Sequence, residues 1–285
     1  MDQNYRNQLN EFVKRAVEED VRDGDHTSLA SLPEDKQGEA KLLVKDNGII
    51  AGVEIGVEIF KQIDPNLQVE IYIEDGARVV VGDVVLKVTG KIHSILKAER
   101  LVLNVMQRMS GIATNTAQYV MALEGTRTKV LDTRKTTPLL RFLEKRAVVI
   151  GGGVNHRFGL YDMILIKDNH VDYAGSVSKA VSNAVAYKKQ NNINIPIEVE
   201  VRNFDELNEL LTCDGVDRVM FDNFDPKYIR QAVDLVDGKL ITEASGGITL
   251  DTIRSYALGG VDYISVGALT HSVRSLDLSL KAKLI

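Results

Sequence analysis

The sequence predicts an α/β protein in two parts, a mixed α/β N-terminal sandwich domain over residues 1–110 and a β/α barrel over 111–285. Three observations carry this. The N-terminal part mixes helical patterns with short strand patterns broken by Asp-Gly and Gly-Asp turns. After Gly111, six short apolar runs end in polar residues, and each is followed by a helical pattern. Near-continuous apolar strands alternating with helices describe a parallel sheet covered by helices. At 285 residues, with 44% hydrophobic and 26% charged residues, the chain has a globular balance and enough length to bury a sizeable core.

The elements follow in order. Leu9, Phe12, Val13, Ala16 and Val17 recur at helical spacing and predict a helix over 7–19. Residues 39–46 and 49–53 are apolar or alternating around Asn47-Gly48, a dipeptide that favours a tight hairpin. A helix over about 54–63 stops before Asp64-Pro65. Strands near 67–73, 78–81 and 84–89 are separated by Asp75-Gly76 and Gly82-Asp83. The stretch 75–90 looks like half of a biotinyl or lipoyl domain, but it lacks the hairpin-tip lysine of such carriers and reads as scaffold. Ile95, Leu96, Leu101, Val102, Val105 and Met106 predict an amphipathic helix over 94–109.

The six later runs are Lys129–Leu131 ending at Asp132, Met163–Ile166 ending at Lys167-Asp168, Ile195–Val201, Val219–Phe221 ending at Asp222, Leu240–Thr242 ending at Glu243, and Tyr263–Val266 ending at Gly267. Six such units point to a barrel, whose strand carboxyl ends form the active site. An open doubly wound sheet is the alternative, and it too binds ligands at strand carboxyl ends.

Composition excludes several classes. The single Cys213 leaves no internal disulfide and no multi-cysteine zinc site. A net charge of −5 argues against wrapping nucleic acid. Met1–Asp20 is polar and acidic, unlike a secretory signal, and no apolar run reaches the roughly 18 residues of a membrane span. A soluble, cytoplasmic protein is the expectation. Within this acidic chain lies one basic island. Arg134, Lys135, Arg141, Lys145, Arg146 and Arg157 are opposed only by Glu144, so residues 134–157 carry +5 and the remainder −10. Some of these cations belong to a solvated helix face, while Arg134, Lys135, His156 and Arg157 fall at element ends, where a pocket recruits them.

The strand ends carry the chemistry. Glu198 and Glu200 share one face of a buried strand, which is costly unless each is paired. An ordinary ion pair accounts for one of them. Glu200, nearer the carboxyl end, and Asp222 are candidates for ribose hydroxyls or Mg²⁺. Ser245-Gly246-Gly247 and Gly267-Ala268 put small residues between the last two strands and their helices, where backbone N–H groups can approach a phosphate. Thr133, Arg134, Lys135, His156, Arg157 and Lys167 supply cations and donors for a substrate with several negative charges.

Asp132-Thr133-Arg134-Lys135-Thr136, Glu144-Lys145, Gly151-Gly152-Gly153, Asn155-His156-Arg157 and Ile166-Lys167-Asp168-Asn169-His170 resemble the quinolinate phosphoribosyltransferase family. Further matches are Glu19-Asp20, Gly24-Asp25, Thr27, Glu99-Arg100, Leu103-Asn104, Ser110–Thr114, Glu198–Val201, Asp222–Phe224, Glu243–Ile248 and Gly267–Ser272. Leu139 and Arg146 depart from it, standing where a glycine and an aromatic residue are expected. The resemblance implies a type II phosphoribosyltransferase, with a mixed α/β sandwich domain plus an incomplete barrel of about seven strands. It implies a reaction of quinolinate with phosphoribosyl pyrophosphate to give nicotinate mononucleotide, pyrophosphate and CO₂ in NAD biosynthesis, with Mg²⁺ required. It also implies a homodimer or higher homo-oligomer, in which Arg100 reaches the neighbour's site. In that scheme Arg134, His156, Arg157, Lys167 and Arg100 hold quinolinate, and Lys135 contacts the donor's phosphates. Glu200 and Asp222 hold the ribose and Mg²⁺, and Ser245, Gly246, Gly247, Gly267 and Ala268 seat the 5′-phosphate. The rivals are a phosphoribosyltransferase for another aromatic acid, a Schiff-base aldolase using Lys135 or Lys167, and a catalytically silent phosphate-binding module.

Overall fold

The computed structural model describes residues 3–283, and backbone proximity divides the chain into two units. One holds the residues up to Thr116, Thr137–Gly152 and the residues from Ser272 onward; the other holds Ala117–Thr136 and Gly153–His271. Its helices and strands in the first unit are α1 (Gln3–Val21), α2 (His26–Ser31), β1 (Gln37–Val44), β2 (Gly48–Ile49), α3 (Val53–Ile63), β3 (Gln68–Ile71), β4 (Arg78–Val79), β5 (Val84–Lys91), α4 (Ile92–Ala122, which continues into the second unit), and, later in the chain, α5 (Arg141–Ile150) and β12 (Leu278–Lys283).

In the first unit an antiparallel sheet runs in the order β12-β1-β5-β3. Ala40, Leu42 and Val44 alternate inward along β1, and Leu42 sits opposite Leu86 on one side and Leu280 on the other. This period of two makes one face of the sheet a core surface. On α3, Ile55, Ile59 and Phe60 are fully buried. Gly56 lets α3 lie against α4, since a Cβ there would stand 2.9 Å from the Met106 sulfur.

Two expected features take another form. Asn47-Gly48 does not close a hairpin between its flanking strands. β2 pairs with β4, and neither Asn47 nor Gly48 has the positive φ a tight hairpin turn demands. Gly48 instead admits α4: a Cβ would stand 2.5 Å from Thr114 Oγ1, and the neighbouring Ile49 N–H donates to that same oxygen. The helix expected to end at 109 runs on through Gly111 to Ala122. Gly111 is there for close approach, because its Cβ position lies 2.3 Å from the Arg274 carbonyl oxygen. The two departures from the family pattern also find reasons. Leu139 has φ +66 and is 83% exposed, so a leucine occupies a left-handed position that glycine would take without strain. Arg146 pairs with Glu54 and stacks over the Tyr5 ring at 5.3 Å, using an aromatic contact in place of an aromatic side chain.

The second unit contains β6 (Lys129–Leu131), β7 (Ile164–Ile166), α6 (Asp168–Ala174), α7 (Val177–Gln190), β8 (Ile197–Val201), α8 (Phe204–Leu210), β9 (Arg218–Asp222), α9 (Pro226–Val236), β10 (Ile241–Ser245), α10 (Ile253–Leu258), β11 (Tyr263–Ser265) and α11 (Ala268–His271). The six apolar runs are six parallel strands, ordered β6-β11-β10-β9-β8-β7, and Val154 adds a single parallel bridge to Leu131 on the free side of β6. Reading Val154 as a seventh stave, each neighbour in sequence is a neighbour in the sheet except one pair. Val154 and β7 share no ladder among the described residues. The result is an incomplete β/α barrel with one open seam. A one-residue stave has no periodicity, which is why the sequence shows six strands. β10 also runs past Glu243, the residue expected to end it, as far as Ser245, which leaves Glu243 inside the barrel.

Gly111→Ala should destabilise the protein by about 1–3 kcal/mol without changing its helix content, since the added methyl meets backbone that cannot rotate away. Urea unfolding followed by circular dichroism measures this directly, and an unchanged midpoint would contradict the close approach.

Candidate active site

Parallel strands deliver their last side chains to one end of the sheet, and here that end opens into a cavity of about 670 Å³. Thr133, Arg134 and Lys135 enter it after β6, and His156 and Arg157 after Val154. Lys167 follows β7, Glu200 lies near the end of β8, and Asp222 ends β9. Ser245, Gly246 and Gly247 come from β10, and Gly267 and Ala268 from just beyond β11. Every candidate site residue of the second unit therefore lines one cavity. Arg100 does not; it is exposed on α4.

Local bonds set the loops. The Lys135 N–H donates to Thr133 Oγ1, and Thr270 Oγ1 donates to the Lys135 carbonyl, which ties the loop after β6 to α11. Gly246 has φ +101, and a Cβ on it would stand 2.2 Å from Asn223 Oδ1. Gly247, at φ +59, faces open space. Only glycine satisfies both the conformation and the approach at 246, and the turn leaves bare backbone facing the cavity.

The electrostatics fall into two layers. At the cavity, Lys167 Nζ lies 2.9 Å from Glu200 Oε2. Burial, followed by the charges of Asp222 and Asp168, raises the Glu200 carboxyl against the pull of Lys167. Burial, and then the charge of Arg134, lowers the Arg157 guanidinium. The two guanidiniums therefore stand in the cavity close enough for their charges to oppose each other.

Beneath lies a second layer inside the barrel. His156 Nε2 stands 2.9 Å from Glu198 Oε2 and 3.6 Å from Glu243 Oε2, and Arg218 Nη2 lies 3.9 Å from Glu243. Both glutamates are 0% exposed. Burial and the neighbouring Glu198 charge push the Glu243 carboxyl well above its ordinary value. Burial opposes the Glu198 charge too, but the contacts with His156 and the charge of Arg218 carry that carboxyl below its ordinary value. The sequence marks Glu198 as a buried acid in need of a partner, and the partner proves to be His156. Met220, Asn223 and Ser265 also line the cavity and were missed as site residues. For Met220 the signal was available: it shares a strand face with Arg218 and Asp222. His156 lines the cavity beside Arg157. Its Nδ1 accepts the Arg157 N–H at 2.7 Å, and its Nε2 faces the two buried acids.

Two acidic groups could hold a cation. Glu200 and Asp222 offer hard oxygen donors beside a cavity roomy enough for water and phosphate, which is what Mg²⁺ takes. His156, Glu198 and Glu243 also have ligand spacing, with their nearest atoms within 4.8 Å of one another. That group is enclosed in the barrel and includes an imidazole, a softer donor set than the oxygens that Mg²⁺ takes.

Residues 112–281 match the family model for the C-terminal domain of quinolinate phosphoribosyl transferase, and residues 25–110 match that for its N-terminal domain. The chain belongs to the quinolinate phosphoribosyltransferase family. Among its relatives in that family, the decarboxylating quinolinate phosphoribosyltransferase 2b, mitochondrial, of Nicotiana tabacum is 46% identical over 96% of this chain and 82% of its own length. The probable nicotinate-nucleotide pyrophosphorylase, carboxylating, of Bacillus subtilis is 43% identical, covering 97% of this chain and 94% of its own. The crystal structure of NadC from Streptococcus pyogenes superposes with a TM-score of 0.93 at 40% identity, over 98% of this chain and 97% of that one. Among the described residues no helix is long and apolar enough to cross a membrane.

The Glu243 carboxyl is raised in the folded protein, so the stability it contributes should be lost as pH rises above the usual carboxylate range. Glu243→Gln, the isostere of the protonated acid, should flatten that decline. Thermal melts between about pH 5 and 8 measure it, and parallel curves for the two proteins would refute the assignment.

Proposed function

We propose that this chain transfers the phosphoribosyl group of phosphoribosyl pyrophosphate to the ring nitrogen of quinolinate, with loss of CO₂, and so makes nicotinate mononucleotide and pyrophosphate for NAD biosynthesis. The observation that carries this is one cavity in which mutually opposed guanidiniums, Arg134 and Arg157, face a carboxylate pair and a glycine turn. A dicarboxylate answers the first, and a phosphorylated ribose answers the other two.

Quinolinate carries two adjacent carboxylates on a pyridine ring. Arg134, Arg157 and Lys167 would grip them, with Arg100 of a second copy completing the site. His156 lines the same cavity, and its Nδ1 accepts the Arg157 N–H. Lys135 would contact the pyrophosphate, and Ser245, Gly246, Gly247, Gly267 and Ala268 would seat the 5′-phosphate on backbone N–H groups. Glu200 and Asp222 would hold the ribose hydroxyls and Mg²⁺, which when bound supplies charge to the departing pyrophosphate. The ring nitrogen forms its bond to the anomeric carbon as the bond to the pyrophosphate oxygen breaks. The sugar passes through an oxocarbenium-like state, and the Glu200 carboxylate stabilises its positive charge. Decarboxylation follows: the C–CO₂ bond breaks, the quaternised nitrogen stabilises the carbanion beside it, and a proton takes its place. A homodimer or larger homo-oligomer belongs to this reading. So does a cytoplasmic setting, which suits a chain with one cysteine.

The aldolase reading fares worse. A Schiff-base lysine needs a neutral amine, and Lys167 is salt-bridged to Glu200. Formation of CO₂ and nicotinate mononucleotide by the purified protein with both substrates tests the proposal; turnover of nicotinate in place of quinolinate would instead assign it to a monocarboxylate.

Arg134→Ala should lower kcat/KM for quinolinate by about 100-fold, since it removes a charge-assisted contact to a buried carboxylate. Steady-state kinetics check this, and unchanged constants would remove Arg134 from the site. Glu200→Gln should reduce kcat by about 100-fold with a smaller change in KM. A pure KM effect would make Glu200 a binding group only.

A further inference from the structure

The open seam leaves the segment that carries Arg157 without a strand ladder. Val154 bridges β6 through one residue, and no pairing joins it to β7 among the described residues. Side chains hold this segment instead. The His156 N–H donates to Asp132 Oδ1 at 2.9 Å, at the end of β6. The Arg157 N–H donates to His156 Nδ1 at 2.7 Å. The far nitrogen of the same ring, Nε2, stands 2.9 Å from Glu198 Oε2 on β8, beyond the seam. At its other end Arg157 donates from Nη1 to the Met163 carbonyl at 3.1 Å.

We propose that Glu198 is a positioning residue: acting through His156, it spans the open seam of the barrel and fixes the main chain at Arg157, so that the guanidinium stands ready in the cavity. The chemistry of the ring requires a partner of this kind. A nitrogen that accepts an N–H carries no proton, so the Nδ1 contact places the ring proton on Nε2. Nε2 then faces the carboxylate of Glu198, 2.9 Å away on a strand that it cannot leave. Glu198 sits in register with Leu165 of β7 and Arg218 of β9, is 0% exposed, and does not line the cavity. It reaches the substrate only through the ring. His156 lines the cavity, and through these contacts it also orients the neighbouring arginine. This inference rests on the reading that Arg157 binds a carboxylate of the aromatic acid.

The first test does not depend on turnover. In the intact protein labelled with ¹⁵N-histidine, with His156 assigned by comparison with His156→Gln, the ring should show a protonated Nε2 and a bare Nδ1. A protonated Nδ1 would overturn the proposal. The second test separates positioning from structural support. Glu198→Leu should raise the KM for quinolinate by about tenfold and leave that for phosphoribosyl pyrophosphate unchanged, while Glu198→Gln, which keeps an acceptor for Nε2–H, should stay within about threefold of the parent. In an Arg157→Ala background, Glu198→Leu should add no further loss for quinolinate. Equal rises in both KM values, or full additivity with Arg157→Ala, would overturn it. Should Glu198→Leu not fold, the glutamine variant and the tautomer decide. A wild-type protein that left quinolinate untouched would defeat the functional reading, while the ¹⁵N spectrum would still judge the contact.

Discussion

A charge removed from water must find its opposite, and the barrel of this protein is arranged around that demand. Its interior is not the purely apolar stack a closed β/α cylinder would hold. Glu198 and Glu243 lie wholly buried between β8 and β10, answered by His156 on one side and Arg218 on the other. The crowding of two acids is what raises the Glu243 carboxyl: burial first, then the charge of Glu198. Arg218 in turn lies over the Tyr263 ring at 4.7 Å, which shields its charge at the opposite end of the barrel from the cavity. The polar column thus runs from His156 at the cavity through the two acids to Arg218.

Above that column, Lys167 and Glu200 pair at 2.9 Å, and Arg134 and Arg157 line the same cavity, close enough for their charges to oppose each other. The fold holds these cations together against their own repulsion.

The seam between Val154 and β7 is where the barrel gives up regularity. A closed ladder would hold the loop after Val154 through backbone bonds alone. With one stave reduced to a single bridge, Asp132, His156 and Glu198 take over that work through side chains, and the loop they secure carries a cavity arginine. An irregular stave and a buried acid–imidazole contact are two sides of one solution.

Much of this was legible before any coordinates. The six apolar runs became six parallel strands because continuous apolar stretches between helices fit few other environments. Their polar ends met in one cavity because parallel strands all finish at the same edge. The Asn47-Gly48 hairpin and a helix ending at 109 are expectations that the structure overturns at glycines: glycine is permissive, and the sequence alone does not show that Gly48 and Gly111 serve the approach of Thr114 and Arg274. Local periodicity and end chemistry, then, determine the elements, the direction they point and the charge they bring to the site, since each depends on neighbours within a few residues. The tertiary structure alone decided which acid holds which base, that a lone valine serves as a stave, and that His156 turns inward, because those outcomes depend on distances between residues tens of positions apart.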